Sequence, residues 1–421
     1  MPHLVRISPV LAPRCRAAWL ARRLAPMLAA ALLPVAVGCR EDAQSPTAPE
    51  AVSPAPRPAL ATATAVAALS FRQVSAGSQH SCGVTSDNRA YCWGYNTYGQ
   101  LGDGTVTDHL TPVAVATGRR FLQLSAGNFH TCGVTTDNRA FCWGYNLLGG
   151  LGDGTTTDRS RPVAVRGGHL FRQVSAGANH TCGATTGDQA YCWGDGILGQ
   201  LGDGTTNQRL TPVAVATTRK LRQVSAGGTH TCGATPWGVA FCWGWNFYGQ
   251  LGDGTTARRL RPRAVGGGLH FRQVAAGYVQ SCGVATDNRA YCWGRNDLGQ
   301  LGDGTTTDRW TPVTVGGGLQ FSGVSPGGTH SCGVTTGGLA HCWGWNYYGE
   351  VGDGTTTERL TPVAVAGGLL FSFSSGSLAS FHTCGVTTGS VAYCWGYNYY
   401  GQLGDGTTTD RSTPVPVAGP M

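Results

Sequence analysis

The sequence predicts an all-β fold, a seven-bladed β-propeller of four-stranded blades with about 50 residues per repeat. Three observations carry that prediction. The tripeptide Cys-Trp-Gly recurs at Cys92, Cys142, Cys192, Cys242, Cys292, Cys342 and Cys394, at intervals of 50 residues five times and then 52. The 421 residues include 65 glycines, and only 12% are charged, a composition suited to turn-rich β structure. Helical periodicity is lacking, and glycines at this density would destabilise a helix throughout. A hydrophobic fraction of 41% supports a sizeable core.

Residues 1–38 have the layout of a secretory signal. Five arginines (Arg6, Arg14, Arg16, Arg22, Arg23) precede an apolar run from Leu24 to Val37, interrupted by Pro26 and Pro34. The run is too short for a spanning helix. It ends Ala36-Val37-Gly38-Cys39, which resembles a bacterial lipoprotein signal and implies lipidation at Cys39; a plain secretory signal is the alternative. Residues 39–68 are rich in Pro, Ala, Ser and Thr and lack aromatics, so they cannot bury enough surface to offset ordering, and they read as a semi-extended tether. The formal charge of +8 falls when the leader is discounted: 30 basic residues less those five leave 25 against 22 acids. No Lys/Arg run marks a phosphate-binding stripe in the repeats, so nucleic acid is not an expected partner.

Residues 69–417 are the repeat region. In its first unit, Phe71–Ser75, His80–Thr85, Arg89–Trp93 and Pro112–Val115 read as strands. Ser86-Asp87-Asn88 forms a turn, and a long Gly-rich loop joins Trp93 to Pro112. One small sheet cannot bury both faces; stacking against neighbours does so, and closing the ring removes the ends. The Val-rich fourth strand follows every repeat, with no convincing copy before the first. If that strand packs with the following repeat, Pro414–Val417 pairs into the first blade and latches the ring, which is the expectation; if it packs with its own repeat, no latch forms.

Fourteen of the 16 cysteines form pairs ten residues apart: 82/92, 132/142, 182/192, 232/242, 282/292, 332/342 and 384/394. In a hairpin centred on residue 87, Cys82 and Cys92 face each other. Opposed residues approach to about 4.5 Å between Cα atoms, near the lower limit for a disulfide. With an oxidising destination, all seven pairs (Cys82–Cys92, Cys132–Cys142, Cys182–Cys192, Cys232–Cys242, Cys282–Cys292, Cys332–Cys342, Cys384–Cys394) read as disulfides. The rivals are free buried thiols and metal binding, and the ten-residue separation does not suit zinc.

His80, His130, His180, His230, His330 and His382 share one repeat position, with Gln280 in the seventh. Each repeat offers the same kit, whereas catalytic sites are asymmetric, so these histidines are expected to bond neighbouring backbone. Asp103 and its counterparts sit in Gly-Asp-Gly-Thr with one carboxylate per loop, which fits turn chemistry and not a calcium loop. No metal, cofactor or enzymatic activity is expected. The odd residues an enzyme would draw on are Gln280, Arg295, Asp297 and His341.

The pattern Gly77-x-x-His80, then Tyr91-Cys92-Trp93-Gly94-x-Asn96-x-x-Gly99-Gln100-Leu101-Gly102, then Pro112-Val113 resembles the regulator of chromosome condensation repeat family. The resemblance covers residues 69–417 and implies a seven-bladed propeller whose repeated Gly, His and Trp are structural. The founding member promotes nucleotide exchange on the small GTPase Ran and binds chromatin; the leader places this chain where neither partner is found. A second resemblance, in fold and export, is to the secreted propeller-type beta-lactamase inhibitors of bacteria. The Cys pairs depart from the common pattern of both.

Function is sought where the seven copies disagree. After Trp-Gly the first position holds Tyr95, Tyr145, Asp195, Trp245, Arg295, Trp345 and Tyr397. Two residues on come Thr97, Leu147, Ile197, Phe247, Asp297, Tyr347 and Tyr399, followed by Tyr98, Leu148, Leu198, Tyr248, Leu298, Tyr348 and Tyr400. Phe129 and Phe381 belong to a second variable group. One face of the ring should therefore carry a circle of aromatics, the residue types that dominate interface energetics. The expected protein is a monomeric, exported bacterial lipoprotein of the cell envelope, binding a protein or glycan through that face and touching the membrane through its lipid alone. An inhibitor of an extracellular or periplasmic enzyme is the alternative, and family-type nucleotide exchange or chromatin binding a third.

Overall fold

A computed structural model describes residues 69–372 and 381–419, and the statements below concern those residues. The leader, the tether and Cys39 lie outside them. Twenty-eight strands form seven four-stranded antiparallel sheets, each built from consecutive strands. In blade 1 these are β1 (Phe71–Ala76), β2 (His80–Thr85), β3 (Ala90–Gly94) and β4 (His109–Ala114). β1-type strands are innermost and pack on one another around the ring axis.

Local chemistry fixes each element. The β2–β3 turn is closed by Asn88 at φ 66°, a left-handed conformation that Asn tolerates. It sets the register in which Cys82 opposes Cys92, and that pair is disulfide-bonded with Cα atoms 4.0 Å apart. All seven pairs are bonded in the same way. Between Cys92 and Gly94 the β3–β4 register shifts, which lets the chain reach Pro112 without costing a ladder bond.

The core lies between blades. Cys82, Val84, Cys92 and Leu101 of blade 1 pack against Phe121, Leu124 and Trp143 of blade 2, all fully or almost fully buried. Truncating such a Trp typically costs about 3–5 kcal/mol. Gly102 explains its own recurrence: its φ is +73°, and a Cβ there would lie 2.6 Å from the Trp143 indole nitrogen.

Polar rivets lock each junction. The Gln100 carbonyl accepts the Thr131 hydroxyl at 2.9 Å, and that hydroxyl bonds His80 Nε2 at 2.8 Å. Because the hydroxyl proton goes to the carbonyl, His80 must donate from Nε2, and burial keeps the ring neutral, so the Nε2–H tautomer is the one present. Six of the seven core tryptophans donate to the same class of carbonyl, for example Trp193 to Gly150 at 2.9 Å. The histidines thus bond side chains of the next blade, correcting the expectation of backbone partners. Gln280 does bond backbone, donating to the Gly327 carbonyl at 3.1 Å.

The latch is also corrected. Arg411–Pro416 pairs with Ala392–Gly396 of its own blade, Cys394 opposite Val415, and blade 1 is complete without it. The ring closes by the same rivet used elsewhere: Gln402 carbonyl accepts Ser81 hydroxyl and Trp93 indole at 2.9 Å, and Ser81 bonds His382 at 2.8 Å. Seven junctions at matching repeat positions need no exchanged strand.

Candidate functional site

Antiparallel strand order alternates the connections between the two ends of the ring. The β1–β2 and β3–β4 links share one end, the loop face; the β2–β3 turns and inter-blade links share the other, the turn face. On the loop face Asn96 is fully buried and organises the long loop. Its amide oxygen accepts Leu101 N–H at 2.9 Å, and its amide nitrogen donates to the Thr107 carbonyl at 3.0 Å. Asp103 accepts Thr105 N–H at 2.9 Å. In six blades a basic partner six residues on is Arg, as in Arg209–Asp203 at 2.8 Å, and in blade 1 it is His109 at 3.0 Å. Burial alone would raise the Asp203 pKa, but hydrogen bonds from Thr205 and Arg209 hold it below the usual carboxylate value. These carboxylates are committed to the loop, and the Arg partner was legible as a basic residue at a fixed offset.

The loops hold the expected aromatics in three-ring modules. Trp245 and Phe247 stack at 5.9 Å with Tyr248 edge-on; Trp345 and Tyr347 stack at 6.0 Å beside Tyr348; Tyr397 and Tyr399 stack at 6.4 Å beside Tyr400. Modules join across blade boundaries. Tyr348 meets Tyr397 at 4.8 Å, Tyr400 meets Tyr95 at 4.8 Å, and Tyr98 meets Tyr145 at 5.0 Å. Phe129 and Phe381 fill between them. The result is a continuous arc over blades 6, 7, 1 and 2, not a full circle. Blade 3 interrupts it with Asp195, Gly196 and Ile197, and blade 4 forms a separate patch.

Exposure separates the positions. Phe247, Tyr347 and Tyr399 each keep 65% of their surface in solvent, while Tyr95, Tyr98, Tyr145, Trp245, Tyr248, Trp345, Tyr348, Tyr397 and Tyr400 are half-buried. Burial first, and then the surrounding phenols Tyr400 and Tyr348, push the Tyr397 hydroxyl up to about 12, so it stays a neutral donor. Arg295 lies over the Tyr248 ring at 5.2 Å and pairs with Asp297 at 2.6 Å. The four odd residues do not converge. Gln280 is buried between blades, Arg295 and Asp297 sit on the loop face, and His341 lies on a third strand, Ala340–Gly344, opposite Gly333.

The architecture defines a closed propeller whose repeated residues build the junctions and whose variable loops gather on one face. Comparison with known proteins gives the family. The RCC1-like domain model matches residues 35–381 and the regulator of chromosome condensation (RCC1) repeat model matches 390–421. The chain belongs to the RCC1-like domain family.

Its fold is similar to that of Prp20p from Saccharomyces cerevisiae, at 22% identity and TM-score 0.69, covering 83% of this chain and 87% of that one. Human WBSCR16 is similar at 21% identity and TM-score 0.67, over 73% and 84%. The CRINKLY WD40 ectodomain of the Arabidopsis thaliana receptor kinase ACR4 is similar at 18% identity and TM-score 0.52, over 84% and 100%. In sequence, 49 residues are 41% identical to the ultraviolet-B receptor UVR8 of Arabidopsis thaliana, 12% of this chain and 11% of that relative.

Proposed function

We propose that this protein is an exported, lipid-anchored binding scaffold that grips a protein partner through the aromatic arc of its loop face, without catalysis. The observation that carries the reading is the arc itself. Tyr and Trp side chains, half-buried and mutually braced, form a rigid apolar base, and Tyr347 and Tyr399 project from it. Rigid aromatics with fixed rotamers lose little entropy on binding and supply most interface energy. Support for a protein ligand comes from relatives: Prp20p is described with its binding properties to Gsp1p and histones, and yeast RCC1 was crystallised with Kap60. Support for export comes from the seven disulfides, which suit an oxidising compartment.

The test is capture from the envelope fraction of the native cell, with wild type compared against Tyr347→Ala/Tyr399→Ala. A protein retained by wild type and lost by a normally melting double variant supports the reading. A glycan retained in its place, inhibition of an extracellular enzyme without the arc, or undiminished capture by the variant overturns it. Acylation is read separately, from incorporation of labelled palmitate by wild type and not by Cys39→Ser.

A further inference from the structure

The turn face differs from the loop face in charge and in hydrophobic content. Its position is fixed by hydrogen bonds between each hairpin turn and the adjoining inter-blade link: Thr136 N–H to Arg120 carbonyl at 3.0 Å, Thr186 to Leu170 at 2.9 Å, Thr388 to Leu370 at 2.9 Å. Repeat folding gathers there basic residues that are scattered in sequence. Among the described residues the carboxylates at this face are Asp87, Asp137, Asp188 and Asp287. They pair with Arg89 at 2.9 Å and Arg120 at 3.8 Å, Arg139 at 3.4 Å, Arg172 at 2.8 Å and Arg289 at 3.9 Å. Arg72, Arg219, Lys220, Arg222 and Arg272 have no carboxylate partner among the described residues, and Arg119 forms no ion pair there, though its charge acts on Asp137. Arg72, Arg222 and Arg272 bond backbone carbonyls at the mouth of the ring, and Arg119 lies 4.0 Å over the Phe141 ring. Arg119, Arg120, Arg219 and Lys220 are exposed. On the loop face, in contrast, the basic residue that follows each Gly-Asp-Gly-Thr is paired with that motif's aspartate.

Where the basic residues stop, apolar ones replace them. The turn position that holds Arg89, Arg139 and Arg289 holds Val239, Leu339 and Val391 in blades 4, 6 and 7. Leu339 bridges to Leu370, and both are more than 40% exposed; Trp237, at the tip of the blade 4 turn, is 77% exposed. The described chain also begins on this face, beside Val391: Phe71 N–H donates to the Ser390 carbonyl at 2.8 Å.

We propose that the turn face docks on an anionic phospholipid surface, its arginines and Lys220 meeting headgroups while Trp237, Leu339, Leu370 and Val391 enter the interfacial layer. Each cationic side chain near such a surface gains free energy, and Trp is the side chain best suited to the interface. A nucleic acid would engage the basic sector and leave the uncharged sector of blades 6 and 7 unused; a bilayer uses both. Docking in this orientation points the aromatic arc away from the membrane and does not require acylation at Cys39.

The experiment uses the full chain carrying Cys39→Ser, so that no acyl chain contributes, and follows sedimentation with vesicles containing phosphatidylglycerol or phosphatidylcholine alone. Binding to the anionic vesicles is expected, weakening as salt is raised. Arg119→Glu/Arg120→Glu/Arg219→Glu/Lys220→Glu is expected to lower it roughly 100-fold or more. Trp237→Ser/Leu370→Ser should remove the part that survives high salt. Arg219→Ala/Lys220→Ala serves if the charge reversal disturbs folding, with a smaller loss of the same sign. Equal binding by normally melting charge variants, no preference for anionic vesicles, or tighter binding to duplex DNA than to the vesicles overturns the proposal. Loss of palmitate labelling in wild type would instead count against the lipoprotein reading alone.

Discussion

The junction between blades 1 and 2 and the two junctions of blade 6 occupy equivalent repeat positions but use different parts. At the first, the Ser75 hydroxyl accepts Ala126 N–H at 3.0 Å, the Gln73 amide brackets Leu124 at 2.9 and 3.1 Å, and His80 clamps Thr131. Between blades 5 and 6, Ala275 has no hydroxyl to accept and Pro326 no N–H to give. Both sides of that bond are lost together, so neither group is orphaned. Gln280 replaces the clamping histidine there and turns to Gly327. Between blades 6 and 7, Glu350 replaces the usual Gln. One of its oxygens accepts Tyr348 N–H at 2.9 Å, and the other is buried without a partner among the described residues, as is the amide nitrogen of Gln100, Gln250 and Gln402, so the difference at this seam is the carboxyl's charge. The lesson is that the ring is sealed by redundant apolar packing, and its polar rivets set how stable each seam is.

The largest test of that view is acid. Burial holds His180, His230 and His382 neutral, lowered to about 3, and His130 and His330 to about 4; for His80, burial and then the His130 charge lower it to about 3. The unfolded chain takes up these protons near pH 6.5, so their stabilisation is complete above 6.5 and is lost as pH falls toward 4 for His130 and His330 and toward 3 for His80, His180, His230 and His382. Each histidine contributes on the order of 1.4 kcal/mol per pH unit in that window. Denaturant titrations at pH 7, 6 and 5 should show a steep decline in the midpoint. A flat profile would mean that the imidazoles are not buried clamps.

Glu350→Gln sharpens the comparison at the 6/7 seam. Burial raises this carboxyl to about 8, so its favourable contribution is present below pH 4.5 and is lost as pH rises through 8. The variant restores the amide found at Gln100, Gln200, Gln250, Gln300 and Gln402. A gain on the order of 3 kcal/mol is expected at pH 7, disappearing toward pH 4.5. Parallel stability curves for the two proteins would count against it.

A smaller effect is expected at the 5/6 seam. Gln280→His places an Nε2–H where Ser331 has a hydroxyl that already donates to the Gln300 carbonyl at 2.9 Å. The clamp should add about 1 kcal/mol at pH 7 and make this junction acid-sensitive like the others. His130→Gln, which removes a clamp, should cost a similar amount. Differential melting of the two variants at pH 7 and 5 distinguishes the outcomes, and equal shifts at both pH values would refute the clamp.

Fold class, blade count and the Cys82–Cys92 register were legible because they rest on period and hairpin geometry, which a repeat displays many times over. The strand limits were close, Phe71–Ser75 against Phe71–Ala76 and Pro112–Val115 against His109–Ala114. The latch was misread because strand order alone does not say which sheet a fourth strand joins; the long loop folds it back onto Ala90–Gly94. His80 could be recognised as structural but not assigned its partner, since Thr131 is 51 residues away. The aromatic arc was visible as variable positions, yet its interruption at blade 3 depends on which loops touch. The charge of the turn face was hidden altogether, because Arg119, Arg120, Arg219 and Lys220 form no long run and converge only in the closed ring.

The smallest stability effect belongs to the residues that should matter most for binding. Phe247, Tyr347 and Tyr399 make their ring contacts within their own modules, among the described residues, and expose most of their surface. Replacing all three by Ser should change stability by less than about 0.5 kcal/mol per site, as for other surface positions. Trp245, Trp345 and Tyr397, in contrast, are half-buried, and Tyr397 contacts Tyr348, Phe381 and Tyr399. Their removal is expected to lower the melting temperature. The first triple variant therefore isolates recognition from folding. If it melts like wild type and still retains the captured partner, the projecting rings are ordinary solvent-exposed side chains, and recognition through the aromatic arc is overturned.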